Sequence, residues 1–170
     1  MKKFELTVEY VTNIFGKKLF RIKALVAFGD VKEGDLGGFV EKESNLANSG
    51  DAWVYGDARV YGDARVYGDA RVYGDAWVYG DAQVCGDARV CGDLDYAIVG
   101  GFGSEQRTTT FFRQKDGTVG VRCGCFYGTL EEFREKVKKT HKDSNYAQEY
   151  LMIADLMELH FAGGKEDDER

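Results

Sequence analysis

Residues 108–133 contain the residue types that bind a ligand with both a negatively charged group and an aromatic ring. Two predicted strands end in arginines, and the segment C-G-C-F-Y-G-T (123–129) then leads into a predicted helix. Backbone amides at a glycine-containing turn and a helix N-terminus bind anions, arginines add charge, and aromatic rings stack on a base. The pattern favours a nucleotide-like ligand. The candidate ligand-binding residues of this segment are Phe111, Arg113, Arg122, Gly124, Tyr127 and Thr129.

The same segment also fits a structural interpretation without a ligand. Thr129 and Glu132 have the spacing of a capping box, which closes the start of a helix. Glu131 and Glu132 also place negative charge in the first helical turn, where an anion would have to bind. A packing turn with a capped helix therefore remains an alternative to an anion site.

A second group of candidates lies in an internal repeat. Gly-Asp recurs every six residues from Gly50 to Gly92, and the seven units between these marks read G-D-A-x-V-[YC]. The variable residue x points away from Ala and Val, and its Arg and Trp are types enriched at binding hot spots. We predict a contact surface, although repeat expansion can also copy an outer face that has no partner. The candidate ligand-binding residues here are Trp53, Arg59, Arg71 and Trp77.

The period of the repeat predicts the element that carries this surface. In each unit A-x-V alternates as a strand does, and Tyr-Gly-Asp supplies a corner because Gly tolerates positive φ. Such short strands cannot form a flat sheet, but they can wind into a coil with Ala and Val inside. Successive turns would then bond at about 4.8 Å spacing. Val40, Leu46 and Ala52 keep the six-residue phase and predict one further coil.

The repeat closely resembles the hexapeptide-repeat family, in which an aliphatic residue pairs with a small one four positions later, as Val54 does with Ala58. The resemblance implies a triangular, left-handed parallel β-helix with three hexads per coil, so that residues eighteen apart stack. It also implies a homotrimer packed through coil faces.

The family resemblance implies two enzymatic alternatives. Each of them requires histidines at particular places in or beside the coil. Hexapeptide acyltransferases bind acyl-coenzyme A between subunits and use a loop histidine as general base, whereas His141 and His160 both follow the repeat. The repeat has no inserted loop, so an acyltransferase would need His141 to reach a neighbour's coil. Carbonic-anhydrase-like relatives bind zinc through three coil histidines, and the repeat has none. We therefore predict no catalytic residue, no metal and no cofactor. Cys123 and Cys125 lack the second ligand pair of a zinc site.

The flanking segments predict an α+β module and a hairpin around the coil. Alternating residues on either side of Asn13–Lys18 predict an N-terminal β-hairpin that caps the coil. After the repeat, three strands, a helix from Leu130 to Lys139 and a second from Asn145 to Phe161 are predicted. The fold class is thus mainly β. The predicted domains are a hairpin cap (1–28), the β-helix (29–95), a C-terminal α+β module (96–162) and a disordered acidic tail (163–170).

Composition limits the compartment and the partners. The net charge of −6 disfavours binding to long nucleic acid, which needs a surplus of Lys and Arg. No apolar run reaches the ~18 residues of a membrane span, so we expect a cytoplasmic protein.

Two further phrases, residues 21–41 and 123–133, are similar to uncharacterised repeat proteins of bacteriophages and prophages. That resemblance implies a phage protein in the host cytoplasm. The leading hypothesis is a non-catalytic oligomeric binder that sequesters a nucleotide immune signal. The alternatives are the acyltransferase and a structural or protein-binding phage component.

Overall fold

The computed structural model describes residues 1–163. The chain divides between Asp93 and Leu94 into two compact units. The first unit is built of strands, and the second adds two helices to a sheet. The chain is therefore mainly β with a C-terminal helical part. The predicted disordered tail lies, from residue 164 onward, outside the described residues.

The first unit begins with an antiparallel sheet. Strands β1 (Phe4–Thr12) and β2 (Lys18–Ala24) form a hairpin, and β3 (Leu36–Val40) pairs with the other edge of β2. The side chain of Asn13 closes the hairpin turn by accepting hydrogen bonds from the Phe15 and Lys17 amides, each at 3.0 Å. The predicted N-terminal hairpin is present, and through β3 it continues directly into the coil.

The repeat forms seven two-residue strands, each of which pairs in parallel with a strand eighteen residues away. Three ladders result, namely β4-β7-β10, β3-β5-β8 and β6-β9. The Ala and Val of every unit are fully buried, so that the inside of the coil is closed by small and branched apolar side chains. The strands are β4 (Trp53–Val54), β5 (Arg59–Val60), β6 (Arg65–Val66), β7 (Arg71–Val72), β8 (Trp77–Val78), β9 (Gln83–Val84) and β10 (Arg89–Val90).

The coil before the repeat is two residues longer than the period predicts. Val40 pairs with Val60, and Leu46 with Val66, which is an offset of twenty residues in both cases. The predicted phase therefore holds from Val40 to Leu46 and is wrong at Ala52. Ala52 is buried, but it takes the place of the small residue in its unit. The extra two residues widen the corner between Leu46 and Val54.

Side chains from the N-terminal segment complete the hydrogen bonding of the first regular coil. In the corner column of Gly50, the glycine carbonyl accepts from the preceding turn, as Gly68 does from the Ala52 amide at 2.8 Å and Gly86 from the Asp69 amide at 3.1 Å. The first corners have no regular preceding turn, and a side-chain donor takes its place at each of them. The pairs are Lys3 Nζ with Gly50 O (3.2 Å), Arg21 Nη1 with Gly56 O (3.3 Å) and Asn45 Nδ2 with Gly62 O (3.1 Å). These bonds cover polar edges that would otherwise recruit another chain.

Lys3 is the most deeply buried of these donors that carry a charge. Its side chain is only 3% exposed, and its ammonium also donates to the Ala52 carbonyl at 2.8 Å and lies 4.5 Å from the centre of the Phe28 ring. Burial lowers the pKa of Lys3 to about 8, although the carboxylates of Asp51 and Asp69 act in the opposite direction.

Because of this lowered pKa, the coil is expected to become more stable as the pH rises from 8 to 10. The folded chain releases the Lys3 proton near pH 8, whereas the unfolded chain keeps it to about pH 10.5. The unfolded state thus binds more protons in this window, and the free energy of unfolding should rise by about 2–3 kcal/mol. Urea titrations followed by tryptophan fluorescence measure it, since both tryptophans lie in the coil. The exposed neighbour provides the control, because Lys2→Met should keep the rise. A flat or falling profile would contradict the assignment.

The second unit is a four-stranded antiparallel sheet with two helices. The strand order is β11 (Tyr96–Val99), β12 (Thr109–Arg113), β13 (Val119–Cys123) and β14 (Phe126–Thr129). Helix α1 spans Leu130–His141 and α2 spans Asn145–Gly163. A core that includes Phe111, Val121 and Phe133 fills the space between one face of the sheet and the helices. Strand β14 is absent from the sequence prediction, and α2 continues two residues beyond the predicted end.

Candidate ligand site

The predicted strand–turn–helix anion site does not form. The segment 123–129 is a tight hairpin followed by β14, so Gly124 and Thr129 lie at opposite ends of that strand. At the start of α1, the Glu132 carboxylate accepts from the Thr129 amide at 2.8 Å, and the Thr129 hydroxyl accepts from the Glu132 amide at 3.2 Å. The predicted capping box is confirmed, and it places the protein's own carboxylate where a bound anion would sit.

Two of the predicted ligand residues are occupied inside the unit. Phe111 is fully buried in the core, in edge contact with Phe133 at 6.1 Å between ring centres. Arg113 donates to the Asp95 carboxylate at 2.9 Å and to the Phe161 carbonyl at 3.2 Å. Neither the Phe111 ring nor the Arg113 guanidinium is open to a ligand. The structure thus gives no support to a ligand at these two residues, because both side chains are turned toward α2 and the core.

Arg122 and Tyr127, two further candidate ligand residues, lie side by side in the sheet. They face each other across β13 and β14, and the Tyr127 ring is 44% exposed. Tyr127 stacks on the buried Phe112 with an interplanar angle of 14°, and its hydroxyl accepts from Gln114 at 3.1 Å. The half-buried Arg122 and the exposed Tyr127 lie on the sheet face opposite the helices.

The coil candidates are also largely covered by the first unit itself. Trp53 is 1% exposed, with Phe28 at 5.4 Å and Phe4 beyond it. Arg71 forms a salt bridge with Asp30 at 2.6 Å. The expectation that Trp53 is part of an open contact surface is therefore wrong, because the first strand and the 25–35 loop pack over this ladder.

The other two ladders differ in how far they are covered. Arg59 lies over the Trp77 ring at 5.0 Å, and both side chains are half-buried. On the third ladder, Arg65 is exposed and Gln83 is half-buried. An outward position in the repeat thus predicts the direction of a side chain but not its access to solvent.

A cavity of about 270 Å³ lies in the second unit, among the 103–107 loop, the β13–β14 hairpin and both helices. Three basic side chains contribute to its lining, namely Arg107, Lys136 and His141. The Arg107 guanidinium lies against the hairpin turn, so close that a Cβ on Gly124 would be only 2.3 Å from it. The Glu105 carboxylate forms a salt bridge with Arg107 at 3.5 Å. An anion at this opening would meet an excess of positive charge.

Aromatic rings form the inner wall of the cavity. Phe126 and Phe133 lie 5.6 Å apart, and the His141 ring is tilted by 33° against Tyr150 at 5.6 Å. Burial, together with the nearby Cys123, raises the pKa of Tyr150, which therefore stays neutral at physiological pH. Rings deep in the cavity and cations at its opening suit a flat molecule that carries a negative group.

Two thiols complete the lining. Cys123 is half-buried and accepts from the Thr109 hydroxyl at 3.2 Å, whereas Cys125, in the hairpin turn, is exposed. Over the residues that the structure describes, His, Cys, Asp and Glu do not gather in groups of three that could hold a metal ion. Within residues 1–163, neither α1 nor α2 combines the length and apolar character that a membrane-spanning helix needs.

The sequence did not predict that the residues lining this cavity lie together. Lys136 and Thr140 follow Phe133 along one side of α1, at a spacing that the sequence shows. Tyr150 lies on the side of α2 that packs into the core. No sequence pattern marks Arg107, which is in a loop and reaches the site only because the loop packs against α2. The Gly103 amide, for example, donates to the Glu149 carboxylate at 2.7 Å.

Thr129 caps the N-terminus of α1, the helix that carries Lys136. Loss of this cap should lower the stability of the second unit modestly. In Thr129→Ala, the Glu132 amide loses its acceptor, so the second unit is expected to lose about 1 kcal/mol of stability. Thermal unfolding followed by the helical circular dichroism signal measures this loss, because α1 and α2 are the two α-helices of residues 1–163. Thr129→Ser keeps the acceptor and should behave like the wild type. Equal melting of the alanine variant and wild type would show that the cap contributes nothing.

The ladders and the buried Ala and Val columns define a repeat β-solenoid protein with a C-terminal α+β unit. Comparison with known families agrees with the solenoid. The family model described as the YdcK beta solenoid repeat matches residues 52–66 and 64–80. The matched residues lie entirely within the coil. No curated protein matches the chain.

Proposed function

We propose that this β-solenoid protein is a non-catalytic binder of a small anionic, ring-bearing molecule, with a mononucleotide as the best-fitting class. The observation that carries the proposal is the cavity of the second unit. There, the exposed Arg107 and Lys136 lie beside an aromatic wall that includes the rings of Phe133, His141 and Tyr150. The cations supply charge-assisted hydrogen bonds to a phosphate, and the rings supply a stacking surface for a base.

The size of the cavity limits the ligand. Pockets for small molecules usually measure ~300–1,000 Å³, and 270 Å³ lies just below that range. One ring system with its phosphate at the rim fits such a volume better than a dinucleotide or an intact coenzyme A.

The expected affinity follows from the same contacts. Two phosphate contacts of about 1.5–3 kcal/mol each and one stacked base of about 1–3 kcal/mol approach the −8 kcal/mol of micromolar binding. Such contacts would give a mononucleotide an affinity in the micromolar range.

Several finer features belong to the same proposal. The eighteen-residue register of the ladders supports a coil of three hexads, and the hexapeptide resemblance implies that this coil is left-handed. The exposed side of the third ladder, which includes Arg65, is our proposed trimer face.

We further propose that the protein is phage-encoded and acts in the host cytoplasm as a sponge for a nucleotide immune signal. Residues 21–41 and 123–133, which resemble phage and prophage repeat proteins, support this setting.

Native mass spectrometry of the full chain tests the proposal against its alternatives. The panel contains AMP, cyclic AMP, ADP-ribose and coenzyme A. We expect a micromolar complex with a mononucleotide, with no turnover of it, and a protein mass three times that of the chain. A complex with coenzyme A alone would support the acyltransferase alternative. Failure of every panel member to bind would refute the proposed ligand class and leave a structural or protein-binding role.

A further inference from the structure

Helix α2 carries apolar side chains on two opposite sides. One side packs into the core of the unit through Tyr150, Ala154 and Met157, among others. The other side presents large apolar residues at the spacing i, i+4 and i+7. These are Met152, Leu156 and Leu159, which are 71%, 57% and 72% exposed. We call these three side chains the outer stripe of α2.

The outer stripe is not a general property of helices in this unit. Helix α1 also buries one side, yet its exposed positions are charged, as at Glu131, Glu135, Lys138 and Lys139. A surface helix of this kind needs only one apolar side. A helix that is apolar on two opposite sides fits a location between two packing partners, and the core supplies only one of them.

Acidic side chains flank the outer stripe on both sides. Asp155 and Glu158 lie along one edge and are held there by Arg134, whose guanidinium donates to them at 2.8 and 2.6 Å. Glu149 lies along the other edge, where it accepts the Gly103 amide at 2.7 Å. The surface is thus an apolar strip between two negatively charged borders.

The negative charge on both edges of the outer stripe favours a positively charged partner. A second copy of the chain would place Asp155, Glu158 and Glu149 against the same three carboxylates, and like charges at close range oppose association. A helix with apolar residues at matching spacing and with lysines or arginines beside them would bury the stripe and pair with its borders. We propose that the outer stripe of α2 is a docking site for a basic amphipathic helix of a partner protein.

Fluorescence anisotropy with two synthetic peptides tests this docking site on the full chain. The first is a labelled amphipathic helix with leucines on one side and lysines on the other, and the second has glutamates in place of the lysines. We expect the lysine peptide to bind roughly tenfold or more tightly than the glutamate peptide. Leu156→Glu and Leu159→Glu should each weaken lysine-peptide binding by about tenfold or more, since they place a charge in the apolar seam.

Controls separate the stripe from the overall negative charge. Val8→Glu adds the same charge at a position of β1 in the first unit that is 96% exposed, and it should leave peptide binding unchanged. Equal binding of the lysine peptide to wild type and Leu156→Glu would overturn the proposal. It would also be overturned by a wild-type dimer that Leu156→Glu converts to a monomer, because a second copy would then occupy the stripe.

Discussion

Replacing Gly74 with alanine is expected to lower the free energy of unfolding of the coil by on the order of 3–4 kcal/mol. Gly74 forms a corner with φ of +67°, a conformation in which a Cβ is strained. An added Cβ would also lie 2.5 Å from the carbonyl oxygen of Cys91 in the next turn. That atom is backbone, so relief requires the two turns to separate and to lose ladder hydrogen bonds.

The chain offers a matched control one turn earlier in the same corner column. Gly56 has φ of +57°, but a Cβ there would meet its nearest atom, the Gly74 carbonyl oxygen, only at 3.9 Å. Gly56→Ala should therefore show the backbone strain alone, about 1–2 kcal/mol. Urea unfolding followed by tryptophan fluorescence measures both variants. Equal losses for the two would show that contact between turns does not set the requirement for glycine.

Removing the Arg107 guanidinium should have the largest effect on ligand binding. Arg107 lines the cavity opening, and the Glu105 carboxylate at 3.5 Å leaves part of its charge available to a phosphate. A charge-assisted contact of about 1.5–3 kcal/mol corresponds to a roughly 10- to 100-fold loss of affinity in Arg107→Ala. Calorimetric titration with AMP measures the change.

Two further variants show whether this loss is specific. Glu105→Gln removes the competing carboxylate and should leave AMP binding equal to, or a few times tighter than, that of the wild type. Arg65→Ala removes an exposed arginine of the coil and should have no effect on AMP. If Arg65→Ala weakened binding as much as Arg107→Ala, the site would lie on the coil and not in the cavity.

The coil was predictable because its signal is repeated and local. Each hexad carries its own corner glycine and its own Ala and Val, and their recurrence every six residues marks the buried positions, as at Val60 and Ala64. The hairpin at Asn13 and the capping box at Thr129 were predictable for the same reason, since both depend on residues close in sequence.

Features that depend on distant parts of the chain could not be predicted in this way. Trp53 points outward as the period requires, but Phe28 and Phe4 cover it. Both phenylalanines lie outside the repeat, so the repeat itself does not predict this contact. The wide corner before Ala52 depends on side-chain donors such as Lys3, far away in sequence. The cavity combines Arg107, Lys136 and Tyr150 from three separate segments, which only the folded unit brings together.

The most direct test of the ligand site is the rate at which Cys125 is alkylated, measured by mass spectrometry with iodoacetamide in the presence and absence of saturating AMP. Cys125 is exposed and lines the cavity, whereas Cys91 is exposed in the coil and serves as an internal control. Binding in the cavity predicts that AMP slows the alkylation of Cys125 and leaves that of Cys91 unchanged. Unchanged alkylation of Cys125 at saturating AMP, or protection of Cys91 alone, would contradict the proposed site.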